Sequence, residues 1–400
     1  MKTTIVTTTI NIPVLLLKYA ENARYYGHQD LDLIVIGDRK SPPQTADFCK
    51  SVERYYRCTY FDIEAQEEWL ADFPKLWRHL RFDSIQRRNV GMLVAWRNGA
   101  DVIITIDDDN FVTAQDFVGK HGGVGAIGEY DSFGSTSGWF NVCSFLQADD
   151  DVRFYHRGYP QKNRWNEREH FVTEQRMARR VAVNAGMWLD DPDIDALTRM
   201  NRQPVVRGFK TAWKGNIGLQ PGTWCPFNSQ NTALMRHVIP AYFLSPYVGR
   251  YDDIWASYIV NRIAEHLGDI ITFGEPLVHQ QRNPHDLWRD LDAERNGMIL
   301  TDDLCHALRS IPLTGSTYHE CFGEIAAHLP LAWPDRANWT DSQRIWRLQL
   351  VEGLDIWHET FEQLGAVPRH TEAMTPALHP APHAYDGFDR LASTVSGNGR

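Results

Sequence analysis

An α/β fold with a mostly parallel central sheet flanked by helices is what this sequence predicts, and two patterns carry that prediction. Strand-like and helix-like segments alternate through the first 110 residues, as a parallel sheet with crossover helices requires. The apolar strand Asp101–Ile106 then runs straight into three aspartates, Asp107, Asp108 and Asp109. In open sheets of this kind ligands sit outside the carboxyl ends of the strands.

The elements follow in order. Thr3–Thr9 is β-branched and reads as a first strand, and a helix near Pro13–Ala23 carries proline in its first turn. Leu31–Ile36 has a buried-strand pattern ended by Gly37-Asp38, Arg57–Phe61 is a third short strand, and Ser84–Asn98 suits a helix. From about Phe111 to Pro246 the chain is rich in glycine, tryptophan and polar residues, and it reads as loops and short strands lying over the sheet. A helix resumes at Asp252–Leu267, with Trp255, Ile259, Ile263 and Leu267 on one stripe. Thr340 with Gln343 three residues later forms a capping-box signature for a long helix that Gly365 stops. Its stripe of Ile345, Trp346, Leu350, Val351, Leu354 and Trp357 is a core-packing face. The expected organisation is a catalytic domain over 1–300, a helical extension over 301–368, and a disordered Pro/His/Ala/Gly/Ser tail over 369–400.

A hydrophobic content of 43% over 400 residues supports a sizeable core. The net charge of −10 argues against a nucleic-acid partner, which usually meets a basic face. No apolar stretch approaches the roughly 20 residues of a membrane span, and the start lacks a convincing signal-peptide cleavage site. Six scattered cysteines without CxxC spacing read as free thiols, which suits a soluble cytoplasmic protein.

The chemistry centres on Asp107-Asp108-Asp109. Three adjacent carboxylates repel one another unless a cation neutralises them, and Mg²⁺ or Mn²⁺ would do so while keeping positions open for diphosphate oxygens. In a strand-like geometry Asp107 and Asp109 share a face and Asp108 points elsewhere. Arg87 and Arg88, beginning the preceding helix, are either a diphosphate clamp or a solvated basic face. The loop Gly37-Asp38-Arg39-Lys40 either holds a uracil or ribose, with Asp38 accepting hydrogen bonds, or is a plain surface turn. Gly123-Val-Gly125-Ala-Ile-Gly128 fits GxGxxG by letter, but it lies downstream of the acidic cluster rather than after a first strand, so a dinucleotide site is set aside.

Five stretches together resemble the reversibly glycosylated polypeptide family, whose plant members are UDP-arabinopyranose mutases. They are Arg88-Asn89-Val90-Gly91, Asp107-Asp108-Asp109, Arg157-Gly158-Tyr159-Pro160, Gly186-Met187-Trp188-Leu189 with Pro192-Asp193-Ile194-Asp195-Ala196, and Gly249-Arg250-Tyr251-Asp252-Asp253-Ile254-Trp255-Ala256. The resemblance implies a GT-A-like nucleotide-binding fold and a UDP-sugar substrate. It also implies a metal-and-diphosphate motif at Asp107, Asp108 and Asp109, and self-association of the chain. It makes Arg157 the match to an arginine that the family is thought to glycosylate reversibly, and Asp252 and Asp253 an acidic pair on the acceptor side. His279 falls where such folds supply a further metal ligand, with a packed or surface histidine as the alternative. Substrate-binding positions carried by these matches and by the first loops are Asp38, Arg39, Arg88, Asn89, Asp107, Asp108, Trp188, Asp193 and Asp195. Trp188, Trp213 and Trp224 are either sugar-stacking or core residues.

The chain departs from the plant pattern after Pro160, over Gln161-Lys162-Asn163-Arg164-Trp165, and matches poorly over Gln203–Pro226 and beyond about residue 300. Two enzymatic readings follow. One is a mutase that interconverts pyranose and furanose forms of a UDP-sugar, with self-glycosylation as an accompaniment. The other is a transferase that passes the sugar to a separate acceptor, with Asp252 or Asp253 as general base. A non-catalytic sugar-nucleotide-binding subunit is the third reading, and the intact acidic triplet and pair weigh against it.

Overall fold

The computed structural model describes residues 1–149, 152–164, 172–210, 215–282 and 286–365. The expected tail and the two tryptophans Trp165 and Trp213 lie outside the described residues. The first part alternates β1 (Thr3–Thr8), α1 (Leu15–Tyr25), β2 (Leu31–Ile36), α2 (Gln44–Val52), β3 (Arg57–Phe61), α3 (Ile63–Trp69), α4 (Pro74–His79), α5 (Arg88–Arg97) and β4 (Val102–Ile106). The middle contributes β5 (Asn110–Val112), α6 (Phe117–Lys120), β6 (Ile127–Ser135), β7 (Leu146–Ala148), β8 (Val172–Asp190), α7 (Ala196–Asn201), β9 (Val206–Phe209), β10 (Ile217–Leu219) and β11 (Asn231–Met235). The chain ends with α8 (Asp252–Leu267), β12 (Ile270–Gln280), α9 (Leu287–Ser310), α10 (Tyr318–Ala332) and α11 (Asp341–Leu364).

Strands β3, β2, β1 and β4 are parallel neighbours in that order. Beyond β4 the same sheet turns mixed: β11 runs antiparallel to β4 and to β8, while β12 runs parallel to β8. The middle region therefore builds the sheet itself, where loops and short strands lying over the sheet were expected. Its main strand, β8, is 19 residues long. The half of β8 paired with β6 is largely exposed and polar, and the half paired with β11 and β12 is buried. A strand wet along half its length shows no apolar alternation, which hides it from a periodicity reading.

This topology assembles one edge. Strands β1, β2 and β4 end there, β11 begins there, and β8 and β12, running with β4, also end there. Thr9, Asp38, Asp107, Gln230, Asp193 and Arg282 follow or precede those strand ends and line a common crevice.

Helix α5 backs the parallel strands. Residues Arg88–Trp96 are buried, as expected of a helix enclosed on several sides. Gly91 permits the closeness, because a Cβ there would lie 2.5 Å from Cγ1 of Val6 on β1 and 3.0 Å from Cγ1 of Ile36 on β2. On its far side Trp96 meets Phe361 of α11 edge-on at 5.0 Å. The capping box of α11 forms as its sequence predicts: the Thr340 hydroxyl accepts from the Gln343 amide at 3.3 Å, and the Gln343 side chain accepts from the Thr340 amide at 2.9 Å. Trp357 of this helix is buried and packs on Phe243 at 5.2 Å. Among the described residues, no helix is long and apolar enough to cross a membrane.

Replacing Gly91 by valine forces α5 off β1 and β2. A destabilisation of about 1–3 kcal/mol is expected from such overpacking, read as a lowered midpoint in urea unfolding with an unchanged slope.

Candidate active site

The crevice at the carboxyl edge has a volume of about 360 Å³, and its lining carries eight aspartates against five arginines. Three negative charges are thus left over before any anionic ligand enters. Such a surplus must be met by protons or by cations.

The acidic triplet leaves β4 in a turn rather than as a continued strand, with the Asn110 amide donating to the Asp107 carbonyl at 3.4 Å. All three carboxylates consequently reach the crevice, where strand alternation had put Asp108 on another face. Asp107 is ion-paired with Arg88. Asp108 accepts from the Thr9 hydroxyl at 2.8 Å and from the Asn11 amide at 3.4 Å. Asp109 keeps a buried Oδ1 with no hydrogen-bond partner among the described residues. Burial and the neighbouring Asp107 push its pKa up to about 7.

Arg88 is fully buried, and its guanidinium also donates to the Ser229 carbonyl at 2.8 Å and the Ser229 hydroxyl at 2.7 Å. Burial opposes its charge, but Asp107 and Asp253 outweigh burial and raise its pKa. Arg88 is therefore the triplet's built-in counter-charge, not a solvated helix face. Asn89 does not enter the crevice. Its amide donates to the Leu244 carbonyl at 2.8 Å and accepts from the Leu244 amide at 3.1 Å, which ties α5 to the segment before α8.

Across the crevice, Arg157 is gripped from several sides. It donates to both oxygens of Asp193 at 2.9 and 3.0 Å, to both oxygens of Asp253 at 3.1 and 3.2 Å, and to the Arg250 carbonyl. Burial works against both charges of the Arg157–Asp193 pair, yet their attraction prevails: Arg157 is raised well above, and Asp193 held below, its ordinary range. Asp253 also accepts from the Ser229 amide at 3.1 Å. Its neighbour Asp252 accepts at 2.7 Å from Gln86, and burial together with the adjacent Asp253 pushes it up to about 7.

At the other end Asp38 faces the crevice while accepting from the Arg39 amide at 2.8 Å and the Ser84 amide at 3.0 Å. Arg39 lies outside the lining, its guanidinium 3.8 Å from the centre of the Phe82 ring.

Besides Asn89 and Arg39, three expected site residues lie outside the crevice lining. His279 does not join the triplet: it pairs with Phe111 on β5, and its Nδ1 lies 2.9 Å from Asp190. The adjacent Gln280 faces the crevice instead, because side chains alternate along β12. Asp195 caps α7 through the Thr198 amide at 2.8 Å and pairs with Arg164 at 2.6 Å. Trp188 is buried against His156, ring centres 5.2 Å apart. Trp224 is likewise a core residue.

Several lining residues carried no sequence signal. Gln86, Gln230, Gln280 and Arg282 are isolated polar residues at strand or helix ends, and only the sheet order brings them together. Among the described residues, no group of three acidic, histidine or cysteine side chains is arranged to hold a metal ion. A cation bound through one or two carboxylates, with substrate oxygens completing its shell, still fits. The unpartnered Oδ1 of Asp109 and the negative surplus both favour it.

A model of the family described as "Reversibly glycosylated polypeptide" matches residues 67–332. UDP-arabinopyranose mutase 3 of Arabidopsis thaliana is 28% identical over 287 residues, which is 68% of this chain and 71% of that protein. UDP-arabinopyranose mutase 1 of the same plant is 30% identical over 239 residues, 56% of this chain and 60% of that protein. Among solved structures, glucosyl-3-phosphoglycerate synthase from Mycobacterium tuberculosis with Mn²⁺ and UDP-glucose is 12% identical at a TM-score of 0.39, over 79% of this chain and 81% of that one.

The raised Asp252 sets a pH dependence. Between the ordinary aspartate value of about 4 and about 7 the folded protein keeps a proton that the unfolded chain has released. This group's contribution to stability therefore falls as pH rises through that window, and it stays at its least favourable above about 7. Asp252→Asn is expected to match wild type below pH 4 and to gain on it steadily up to pH 7. Urea unfolding at several pH values checks this, and parallel curves would refute it.

Proposed function

The chain belongs to the reversibly glycosylated polypeptide family, and from that premise we propose that it binds a UDP-sugar along the carboxyl edge and interconverts the pyranose and furanose forms of that sugar. The relatives named UDP-arabinopyranose mutases support this reading. The observation that carries it is a single crevice with the acidic triplet on one wall and the Arg157–Asp193–Asp253 cluster with Asp252 on the other. Departure and recapture of the sugar can then take place within one enclosure.

The nucleoside lies towards Asp38 and Ser84, at the ends of β1 and β2. The diphosphate lies over the triplet beside Arg88, and the sugar reaches the wall of Arg157 and Asp252. Asp109 with Asp107 would hold Mn²⁺ or Mg²⁺, which would supply charge neutralisation of the diphosphate when bound.

Changing ring size requires the anomeric carbon to part from the diphosphate oxygen. It then exchanges its bond to the ring oxygen for one to another hydroxyl of the same sugar, and the diphosphate returns. The attacking hydroxyl loses a proton and the former ring oxygen gains one. Asp252 suits both transfers, since a group near pKa 7 gives and takes protons at neutral pH. Asp253 does not, because both its oxygens accept from Arg157. Arg157 is a positioning residue. Its guanidinium is committed to two carboxylates and a carbonyl, and a protonated guanidinium is a poor nucleophile.

Incubation with Mn²⁺ and UDP-arabinopyranose is expected to yield the furanose isomer on chromatography. Asp252→Asn should lower kcat by about 10²- to 10⁴-fold. UDP release that rises with added acceptors, without isomer, would move the case to a transferase. The double variant Asp107→Ala with Asp109→Ala is expected to lose Mn²⁺-dependent UDP binding; if it still binds, the site is misplaced. Peptide mass spectrometry after the same incubation is expected to show Arg157 unmodified, and a pentose adduct there would overturn its positioning role.

A further inference from the structure

A nucleoside diphosphate brings negative charge into a crevice that already holds a surplus, so the commitment of each lining guanidinium matters. Arg88 is tied to Asp107 and twice to Ser229. Arg157 is tied to Asp193, Asp253 and the Arg250 carbonyl. Arg250 is held by Glu294 at 2.9 Å and Asp290 at 3.3 Å, both on α9. Arg87 sits towards the Asp38 end, its Nε donating to Gln66 at 2.7 Å and its guanidinium against Trp77 and Phe82.

Arg282 is held less firmly than Arg88, Arg157 and Arg250. Unlike Arg87, which also lacks a hydrogen-bonded carboxylate among the described residues, it lies at the triplet end of the crevice. Its nearest carboxylates are Asp191 at 3.2 Å through Nε and Asp193 at 3.9 Å through Nη2, and neither contact is forked. The Asp191 contact lacks hydrogen-bond geometry, since Nε is buried with no hydrogen-bond partner among the described residues. Burial, with Arg199 nearby, pushes its pKa below the ordinary arginine range, so its charge is under-compensated. Its place is set by the main chain. Gln280 pairs with Asn110, and the Gln281 amide donates to the Asp109 carbonyl at 3.1 Å, which puts the end of β12 directly against the triplet. Its side chain is 9% exposed and lines the crevice there, away from the nucleoside end at β1 and β2.

We propose that Arg282 grips the sugar-side phosphate of the bound nucleoside diphosphate, exchanging its unforked contact with Asp191 for a forked one with phosphate oxygens. This rests on the reading of the crevice as a nucleotide-sugar site. A guanidinium fork matches two phosphate oxygens and strengthens as the leaving diphosphate gains charge, so it also stabilises the departing group.

Calorimetric titration of UDP and UMP in Mn²⁺ tests it, because UMP lacks the phosphate concerned. Arg282→Gln is expected to weaken UDP binding about 10- to 100-fold and to leave UMP binding within about twofold. Arg282→Lys, which keeps the charge but not the fork, should fall between. Unchanged UDP binding, or equal losses for both nucleotides, overturns the proposal. If Arg282→Gln fails to melt cooperatively, the UDP-to-UMP ratio of Arg282→Lys decides, and a ratio equal to wild type overturns it. Wild-type protein that binds neither nucleotide overturns the nucleotide-sugar reading, and this inference with it.

Discussion

Mutual repulsion among the carboxylates gathered at the carboxyl edge is the constraint on which the rest of this structure depends. Eight aspartates face one crevice of about 360 Å³, and like charges brought together in a partly dry space raise one another's pKa or draw in cations. Both responses occur. Asp109 and Asp252 are pushed up to about 7, while Arg88 and Arg157 are buried where their charge offsets the nearest acids. What remains is a negative surplus, which opposes any anionic ligand that brings no cation with it.

The buried arginines also tie together segments far apart in the chain. Arg88 at the start of α5 holds the triplet after β4 and Ser229 before β11. Arg157 joins the segment after β8 to the start of α8, and its contact with the Arg250 carbonyl extends the network to α9 through Glu294. Buried ion pairs of this kind add little net stability against an apolar alternative, but leaving one partner alone costs several kcal/mol. Their effect here is to hold the acids in fixed places. Gly249 serves the same end: it adopts φ +56°, and a Cβ there would collide with the Ala293 carbonyl of α9. Helix α9 thus braces, from behind, the Gly249–Arg250 segment that lines the site.

Legibility in the sequence followed exposure. The parallel strands β1, β2, β3 and β4 are short and bounded by turn residues, with β1, β2 and β4 almost wholly buried, so their pattern survives in the letters. The cap of α11 is a local interaction of Thr340 with Gln343 and needs nothing from the fold. β8 failed as a pattern because its two halves have different surroundings. His279 failed by one residue, because the parity of a strand is decided by which face its neighbours cover. Asp252 and Asp253 were visible as a pair, but their division into a held acid and a proton carrier depends on Arg157, almost a hundred residues away in the chain.

By itself, the sequence determined the α/β class, the strand leading into Asp107–Asp109, the α8 acidic pair and the family, because those rest on local periodicity, local capping and short motifs. The tertiary structure alone decided which of the acids are neutralised, that Gln280 and Arg282 rather than His279 meet the triplet, and that Asp195, Trp188 and Asn89 serve the framework. The physical reason is that charge balance and burial are sums over neighbours, and those neighbours come from six strand ends that are adjacent only once the sheet has formed.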